Sequence, residues 1–262
     1  MQHKARKRFG QNFLHDQHVI NRLIAAISPS PKQHIVEIGA GMGAMTVPLL
    51  ETAGQLDVVE LDRDLVVFLK EKIAPLGKLT VYQADALKFD FQQLATDERP
   101  LRIVGNLPYN ISTPLLFHLL NYVKVIDDMT FMLQKEVVDR LAAKPHSHSY
   151  GRLSVVMQYY CQVEKLFDVP PEAFDPQPKV DSSIVRLIPY QTPPVEIDNE
   201  QDFKALLTQA FSQRRKTLRN NLKKWIDATT IESMGIDPQA RAETLTLAEF
   251  ARLANLWTKI KI

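Results

Sequence analysis

The stretch HIVEIGAGMGAMT, residues 34–46, decides the fold. Its first six residues form a short run with β-branched members, the pattern of a buried strand. Gly39, Gly41 and Gly43 follow within five residues, and a helical pattern then runs over 44–53. Glycine at a strand-to-helix turn tolerates positive φ and lets a ligand touch the backbone. The N-terminus of the next helix adds free N–H groups. Together these features describe the first-loop nucleotide site of a doubly wound fold, at the carboxyl end of the sheet.

Outward from this loop, strands and helices alternate. LDVVEL (56–61), LTVYQA (79–84), LRIVGN (101–106) and MTFMLQ (129–134) read as strands. Helical patterns cover 16–28, 63–73, 113–122 and 135–143. The alternation predicts a parallel α/β sheet with helices on both faces, a doubly wound, Rossmann-like sheet. The pattern breaks after about residue 145. Residues 152–169 are apolar but ambiguous between helix and strand. FDPQPKVDS (174–182) reads as an ordered loop, because its two prolines cannot serve a regular element. Residues 183–188 read as another strand and YQTPPVEID (190–198) as a linker. Beyond it only helical patterns remain, at 201–212, 215–226 and 246–257. The expected division is a catalytic domain over 1–190, with an N-terminal flap at 1–15, and a small all-helical domain over 191–262.

Composition narrows the possibilities. Apolar residues make up 45% and charged residues 24%, ordinary globular values that supply a large core. No apolar run of about 18 residues exists, so no membrane span is expected. The N-terminus lacks the apolar stretch of a secretory signal, which makes a cytoplasmic setting the default. Cys161 is the single cysteine, which excludes an internal disulfide and a cysteine-based zinc site. His146 and His148 form only an isolated pair, so no metal is expected. The formal net charge of +2 hides an uneven distribution. Lys4, Arg6, Lys7 and Arg8 form one basic cluster; Arg214, Arg215, Lys216, Arg219, Lys223 and Lys224 form another. Without those ten, 22 basic residues face 30 acidic ones, a net of −8. Two basic clusters on an acidic body imply a polyanionic partner held at defined places.

The glycine loop alone leaves the nucleotide open. Gly39, Gly41 and Ala44 satisfy the loose dinucleotide spacing, so NAD is not excluded. Glu60 ends the second strand, where a carboxylate accepts both ribose hydroxyls; NAD and S-adenosylmethionine (AdoMet) sites share that feature. Asp85, just past the third strand, is placed to accept from an adenine amino group. Glu37 is a charge inside an apolar strand. Beside a sulfonium it would be stabilised, and beside a pyrophosphate it would repel.

GNLPYN, residues 105–110, follows the fourth strand at the carboxyl end of the sheet. Its chemistry suits methylation of an exocyclic amine. The lone pair of an adenine amino group is delocalised into the ring. The Asn106 side-chain oxygen and the Leu107 carbonyl can accept both N–H bonds and favour a tetrahedral nitrogen. Pro108 stiffens the loop and Tyr109 presents a flat face for a base.

Four motifs in order, with a fifth in the C-terminal region, resemble the KsgA family of ribosomal RNA adenine dimethyltransferases. They are RKRFGQNFL (6–14), VEIGAGMGAMT (36–46), GNLPYNIS (105–112), PEAFDPQPKVDSS (171–183) and AFSQRRKTLRNNL (210–222). Ala40 stands where many members have proline. The resemblance implies an AdoMet-dependent enzyme that dimethylates N6 of two adjacent adenosines in the 3′-terminal hairpin loop of 16S rRNA, with a role in small-subunit biogenesis. It implies that Asn12 and Leu14 contact AdoMet from the N-terminal segment and that Gly39 lies against its methionine portion, beside Gly41. Glu60 would hold the ribose and Asp85 the adenine. Asn106 would sit at the reacting centre. Tyr109 and Phe174 would sandwich the target base.

Residues 213–224 place Arg215, Arg219 and Lys223 at i, i+4 and i+8, one face of a predicted helix, with Leu218 and Leu222 as anchors. The expected partner is 16S rRNA within the immature small subunit, and a monomer is the default. Three alternatives compete: an adenine methyltransferase acting on large-subunit rRNA or DNA, a mainly non-catalytic assembly factor, and an NAD oxidoreductase.

Overall fold

HIVEI becomes a central strand because its neighbours cover it on both sides. In the computed structural model, which describes residues 11–261, this strand, β2 (His34–Ile38), lies between β3 (Gln55–Glu60) and β5 (Leu101–Asn106), parallel to both. Ile35, Val36, Ile38, Ile103 and Val104 are all at most 3% exposed. Such near-continuous burial is the mark of a parallel strand covered on both faces. β4 (Lys78–Gln83) pairs with β3 at one edge, and β6 (Ile126–Gln134) pairs with β5, both parallel. The basic residues Lys4, Arg6, Lys7 and Arg8, and the first part of the expected flap, lie outside the described residues.

The sheet then departs from the purely parallel expectation. β9 (Ser182–Pro189) pairs with β6 antiparallel, with Gln134 opposite Ser182. β7 (Cys161–Val169) follows at the edge, which gives the order β4-β3-β2-β5-β6-β9-β7. The reversal has a functional consequence. The beginning of β9, not its end, lies level with the carboxyl ends of β5 and β6. The loop before β9 therefore arrives at the same edge as the glycine loop. The ambiguous 152–169 segment resolves into α6 (Arg152–Tyr160) and then β7, a switch that apolar content could not reveal.

Helix α1 (Gln17–Ile27) buries Val19, Ile20, Leu23 and Ile27. Asp16 caps it by accepting from the His18 and Val19 amides at 2.8 and 3.1 Å. Its C-terminal carbonyls meet a buried cation. Arg102 on β5 donates to the Ile27 carbonyl at 2.8 Å and forks onto Asp128 of β6 through two bonds of 2.8 Å. The remaining helices of this part are α2 (Thr46–Ala53), α3 (Arg63–Phe68), α4 (Ser112–Leu119) and α5 (Lys135–Leu141). The helix predicted over 63–73 loosens into a π-turn at Leu69–Ile73.

The chain forms two compact units. One comprises the residues up to Val138 together with Glu164–Pro189. The other comprises Asp139–Val163 together with the chain from Tyr190 onward, so α6 groups with the C-terminal helices. That second unit contains α7 (Glu200–Ala210), α8 (Leu218–Leu222), α9 (Ala228–Ser233) and α10 (Leu247–Ile260). Phe203, Leu206, Leu207, Leu218, Leu222 and Phe250 supply fully buried side chains.

Candidate active site

The loops after β2, β3, β4 and β5 leave the sheet at the same edge and, with the N-terminal segment, line a cavity of about 360 Å³, within the usual range for a small-molecule site. Gly39, Gly41, Glu60 and Asp85 line it from the ends of β2, β3 and β4. Asn12 and Leu14 line it from the N-terminal segment. Asn106, Leu107, Pro108 and Tyr109 line it from the end of β5. Residues scattered over a hundred positions of sequence thus meet in one place.

Gly39 and Gly41 take φ of 74° and 57°, the left-handed region that glycine enters without strain. At Gly41 a Cβ would also meet the Phe13 ring at 3.2 Å. Gly105 is needed for another reason. A Cβ there would stand 2.6 Å from the Ile38 carbonyl, so glycine permits the close approach of β2 and β5 just before Asn106.

The carboxylates divide the polar work. Glu60 is 6% exposed; one oxygen accepts from the Gly41 amide at 3.3 Å and the other from the Asp62 amide at 2.9 Å. Burial pushes its carboxyl up, and those amide bonds pull it back down. Asp85 accepts from the Leu87 amide at 3.0 Å, an Asx-turn that orients it. Glu37 is 1% exposed, lines the cavity, and its Oε2 has no hydrogen-bond partner. Burial is the main force raising it to about 7, and the charge of Glu60 adds to that. The Thr46 hydroxyl beside it favours the anion without a well-aligned hydrogen bond. A buried acid in the lining of a cavity, with one oxygen unsatisfied, fits a ligand that brings positive charge.

The NLPY loop is held at every residue. Asn106 Nδ2 donates to the Asn12 carbonyl at 3.2 Å. The Leu107 amide donates to the Met132 carbonyl at 3.2 Å, and the Ile111 amide to the Pro108 carbonyl at 3.2 Å. The Ser112 hydroxyl donates to the Tyr109 carbonyl at 3.1 Å.

The structure places Phe174 elsewhere. It is 3% exposed, sits in the apolar core, and is not among the residues that line the cavity. The residues around it, expected as loop alone, begin with a two-residue strand, β8 (Phe174–Asp175), paired antiparallel with β1 (Phe13–Leu14). Partners about 160 residues apart in sequence leave no local signal. Sequence reasoning also passed over Leu61 and Phe13, both of which line the cavity. Leu61 directly follows Glu60 and is 49% exposed, so the signal was a large apolar residue after a strand-end acid.

The predicted helix over 215–226 is corrected. Helix α8 spans only Leu218–Leu222, after Thr217 in an extended conformation (ψ 162°). Distant backbone takes the first-turn donors: the Leu218 and Arg219 amides reach the Ala240 and Pro238 carbonyls at 2.8 and 3.0 Å. Asn221 Nδ2 reaches back to the Ala210 carbonyl at 2.6 Å. Arg215 precedes the helix, so helical spacing aligns only Lys223, the C-cap in helical conformation, with Arg219. Arg214, Arg215, Lys216, Arg219, Lys223 and Lys224 are nevertheless all exposed, and Leu218 and Leu222 anchor the helix from within. Arg214 pairs with Glu243 at 3.0 Å.

The fold and the cavity at its carboxyl edge define a Rossmann-like methyltransferase. The chain belongs to the ribosomal RNA adenine dimethylase family, whose model matches residues 2–259. It is 57% identical to a ribosomal RNA small subunit methyltransferase A of Hahella chejuensis, over 97% of this chain and 93% of that protein. It is also 57% identical to the protein of that name in Saccharophagus degradans, over 97% and 96%. Among solved structures it superposes on a dimethyladenosine transferase from Plasmodium falciparum with a TM-score of 0.81 at 27% identity, covering 95% of this chain and 98% of that one. The 23S rRNA methyltransferase ErmE shares the fold, with a TM-score of 0.73 at 24% identity over 94% of this chain and all of that one.

Proposed function

We propose that this protein uses AdoMet to dimethylate N6 of two adjacent adenosines in the 3′-terminal hairpin loop of 16S rRNA. The observation that carries this reading is the rigid Asn106–Tyr109 loop at the edge of a cavity lined by Glu37, Glu60 and Asp85. Family membership supplies the rRNA adenine substrate class. The names of the close relatives point to the small subunit rather than the large one.

AdoMet, when bound, supplies an electrophilic methyl group on a sulfonium. The chain's own part is to bind, orient and desolvate. In this reading Glu60 holds the ribose and Asp85 the adenine of the cofactor, while Asn12, Leu14, Gly39 and Gly41 close around it. With Nδ2 of Asn106 committed to Asn12, its Oδ1 is the atom left to accept an N–H of the target amine. The Leu107 carbonyl accepts the other. Two such acceptors draw the amine nitrogen toward a tetrahedral shape and free its lone pair. Tyr109 provides the stacking face. Phe174 would join it only if the β1–β8 region opened, since its ring is buried.

The catalytic work belongs to the unit that holds the cavity, and RNA binding to the helical unit, which takes in Asp139–Val163 besides the chain from Tyr190 onward. Exposed Arg215, Lys216, Arg219, Lys223 and Lys224, with Arg214, meet phosphates, which supply most of the affinity for RNA. Unpaired loop adenines are cheap to splay into an aromatic site. Action on ribosomal RNA fits a cytoplasmic monomer that also serves subunit biogenesis. Among the described residues no helix is long and apolar enough to cross a membrane, and no group of three or more potential metal ligands is present.

The test is transfer from labelled AdoMet to purified immature small subunits, large subunits and DNA. N6,N6-dimethyladenosine only in the small-subunit digest is expected. Label in large subunits or DNA instead would overturn the assignment.

A further inference from the structure

The family motifs place Ser182 at the end of the FDPQPKVDS loop without giving its hydroxyl a task. In the structure that hydroxyl lies 2.7 Å from the Tyr109 hydroxyl. Ser182 is fully buried, at the first position of β9, where pairing with Gln134 of β6 fixes its backbone. Tyr109 is half-buried and is gripped from both ends: Ser112 holds its carbonyl and Ser182 its phenol. Only the antiparallel run of β9 makes this possible, because it brings the start of that strand to the catalytic edge. A tyrosine ring fixed at its backbone alone still rotates about two side-chain bonds. Tethering the far end of the ring removes that freedom before a base arrives.

We propose that Ser182 is a positioning residue, whose buried hydroxyl sets the plane of the Tyr109 ring and so the pose of the target adenine. The inference rests on the reading of Tyr109 as the stacking face. Ordering the ring during folding spares the complex that entropy, and misplacement of a reacting group by about 1 Å costs as much as 100-fold in rate. Burial raises the Tyr109 phenol, which keeps it protonated and able to take part in the bond.

The experiment compares Ser182→Ala, Tyr109→Phe, the double variant, Ser182→Thr and Tyr109→Ala with the unaltered full-length protein on small-subunit particles. Thermal midpoint and AdoMet affinity by calorimetry are recorded for each. Ser182→Ala and Tyr109→Phe should each lower kcat roughly 5- to 30-fold, with the affinity for AdoMet within twofold. The double variant should be no worse than either single one, because both remove the same bond. Ser182→Thr keeps a hydroxyl and should recover most of the rate. Full additivity in the double variant, or an unchanged kcat in Tyr109→Phe, would overturn the proposal. Tyr109→Phe keeps the ring and leaves β9 untouched, so it decides the matter even if Ser182→Ala fails to fold. If Tyr109→Ala retains full activity, the stacking reading itself fails. If it abolishes activity while the Phe and Ser182→Ala variants stay at the unaltered rate, only the role of Ser182 fails.

Discussion

Replacing Glu37 with glutamine should change how stability depends on pH. Glu37 is enclosed at the end of β2, with Oε2 unpartnered and its carboxyl raised from an ordinary 4.5 to about 7. The folded chain therefore holds a proton on Glu37 that the unfolded chain gives up between pH 4.5 and 7. A group raised in this way contributes stability below 4.5 that is lost as pH climbs through 7. Linkage puts the loss at about 3 kcal/mol by pH 8, and near zero at pH 4. Glu60 is raised in the same direction and adds to the slope in the unaltered protein. Asp97 and Asp168 are lowered to about 2 and act only at acid pH, outside this window. Glutamine has nearly the same shape and no charge. Its amide faces the same unsatisfied position at every pH, which adds a constant offset and leaves the slope as the readout. Urea or thermal unfolding without AdoMet at pH 5, 6, 7 and 8 measures it. The variant should gain on the unaltered protein from pH 5 to pH 8 by about 2.5 kcal/mol, roughly 5–10 °C in midpoint. Parallel curves for the two proteins would refute the reasoning, because the carboxyl would then titrate as if exposed.

The same substitution should weaken AdoMet more than S-adenosylhomocysteine in calorimetry, since both carry the amino-acid charges but only the former adds a sulfonium; equal losses would remove the electrostatic argument. Arg102→Ala should destabilise the first unit by up to about 3–5 kcal/mol in urea, because it leaves Asp128 with only the longer 3.6 Å pairing to Arg186 and uncaps α1. Gly41→Ala should raise the AdoMet dissociation constant at least about tenfold, since left-handed φ costs an alanine about 1–2 kcal/mol and its Cβ presses on Phe13. Reversing Arg215, Arg219 and Lys223 to glutamate should weaken RNA binding and flatten its salt dependence by about 0.7–0.9 per lost contact, with AdoMet binding retained; equal loss of both ligands would mark the cluster as structural.

Periodicity carried the elements that are decided locally. The β-branched runs at 34–38, 55–60 and 101–106 lie in strands that neighbours bury on both faces, so their composition alone announced them. The NLPY loop and the strand-end acids were legible because each directly follows such a strand, and the parallel order puts all their ends on one edge. The basic cluster at 214–224 was legible as exposed charge, but its helix was not, because its turn is set by hydrogen bonds to residues 238–240.

By itself the sequence determined the doubly wound plan and the family, and it singled out the strand-end acids and the NLPY residues found in the cavity lining, since these depend on patterns within a dozen positions. Only the tertiary structure decided the antiparallel insertion of β9, the β1–β8 pairing, the burial of Phe174, the unpartnered oxygen of Glu37 and the bond between Ser182 and Tyr109. Each depends on groups brought together from far along the chain, where burial and hydrogen-bond geometry, not local preference, select the outcome.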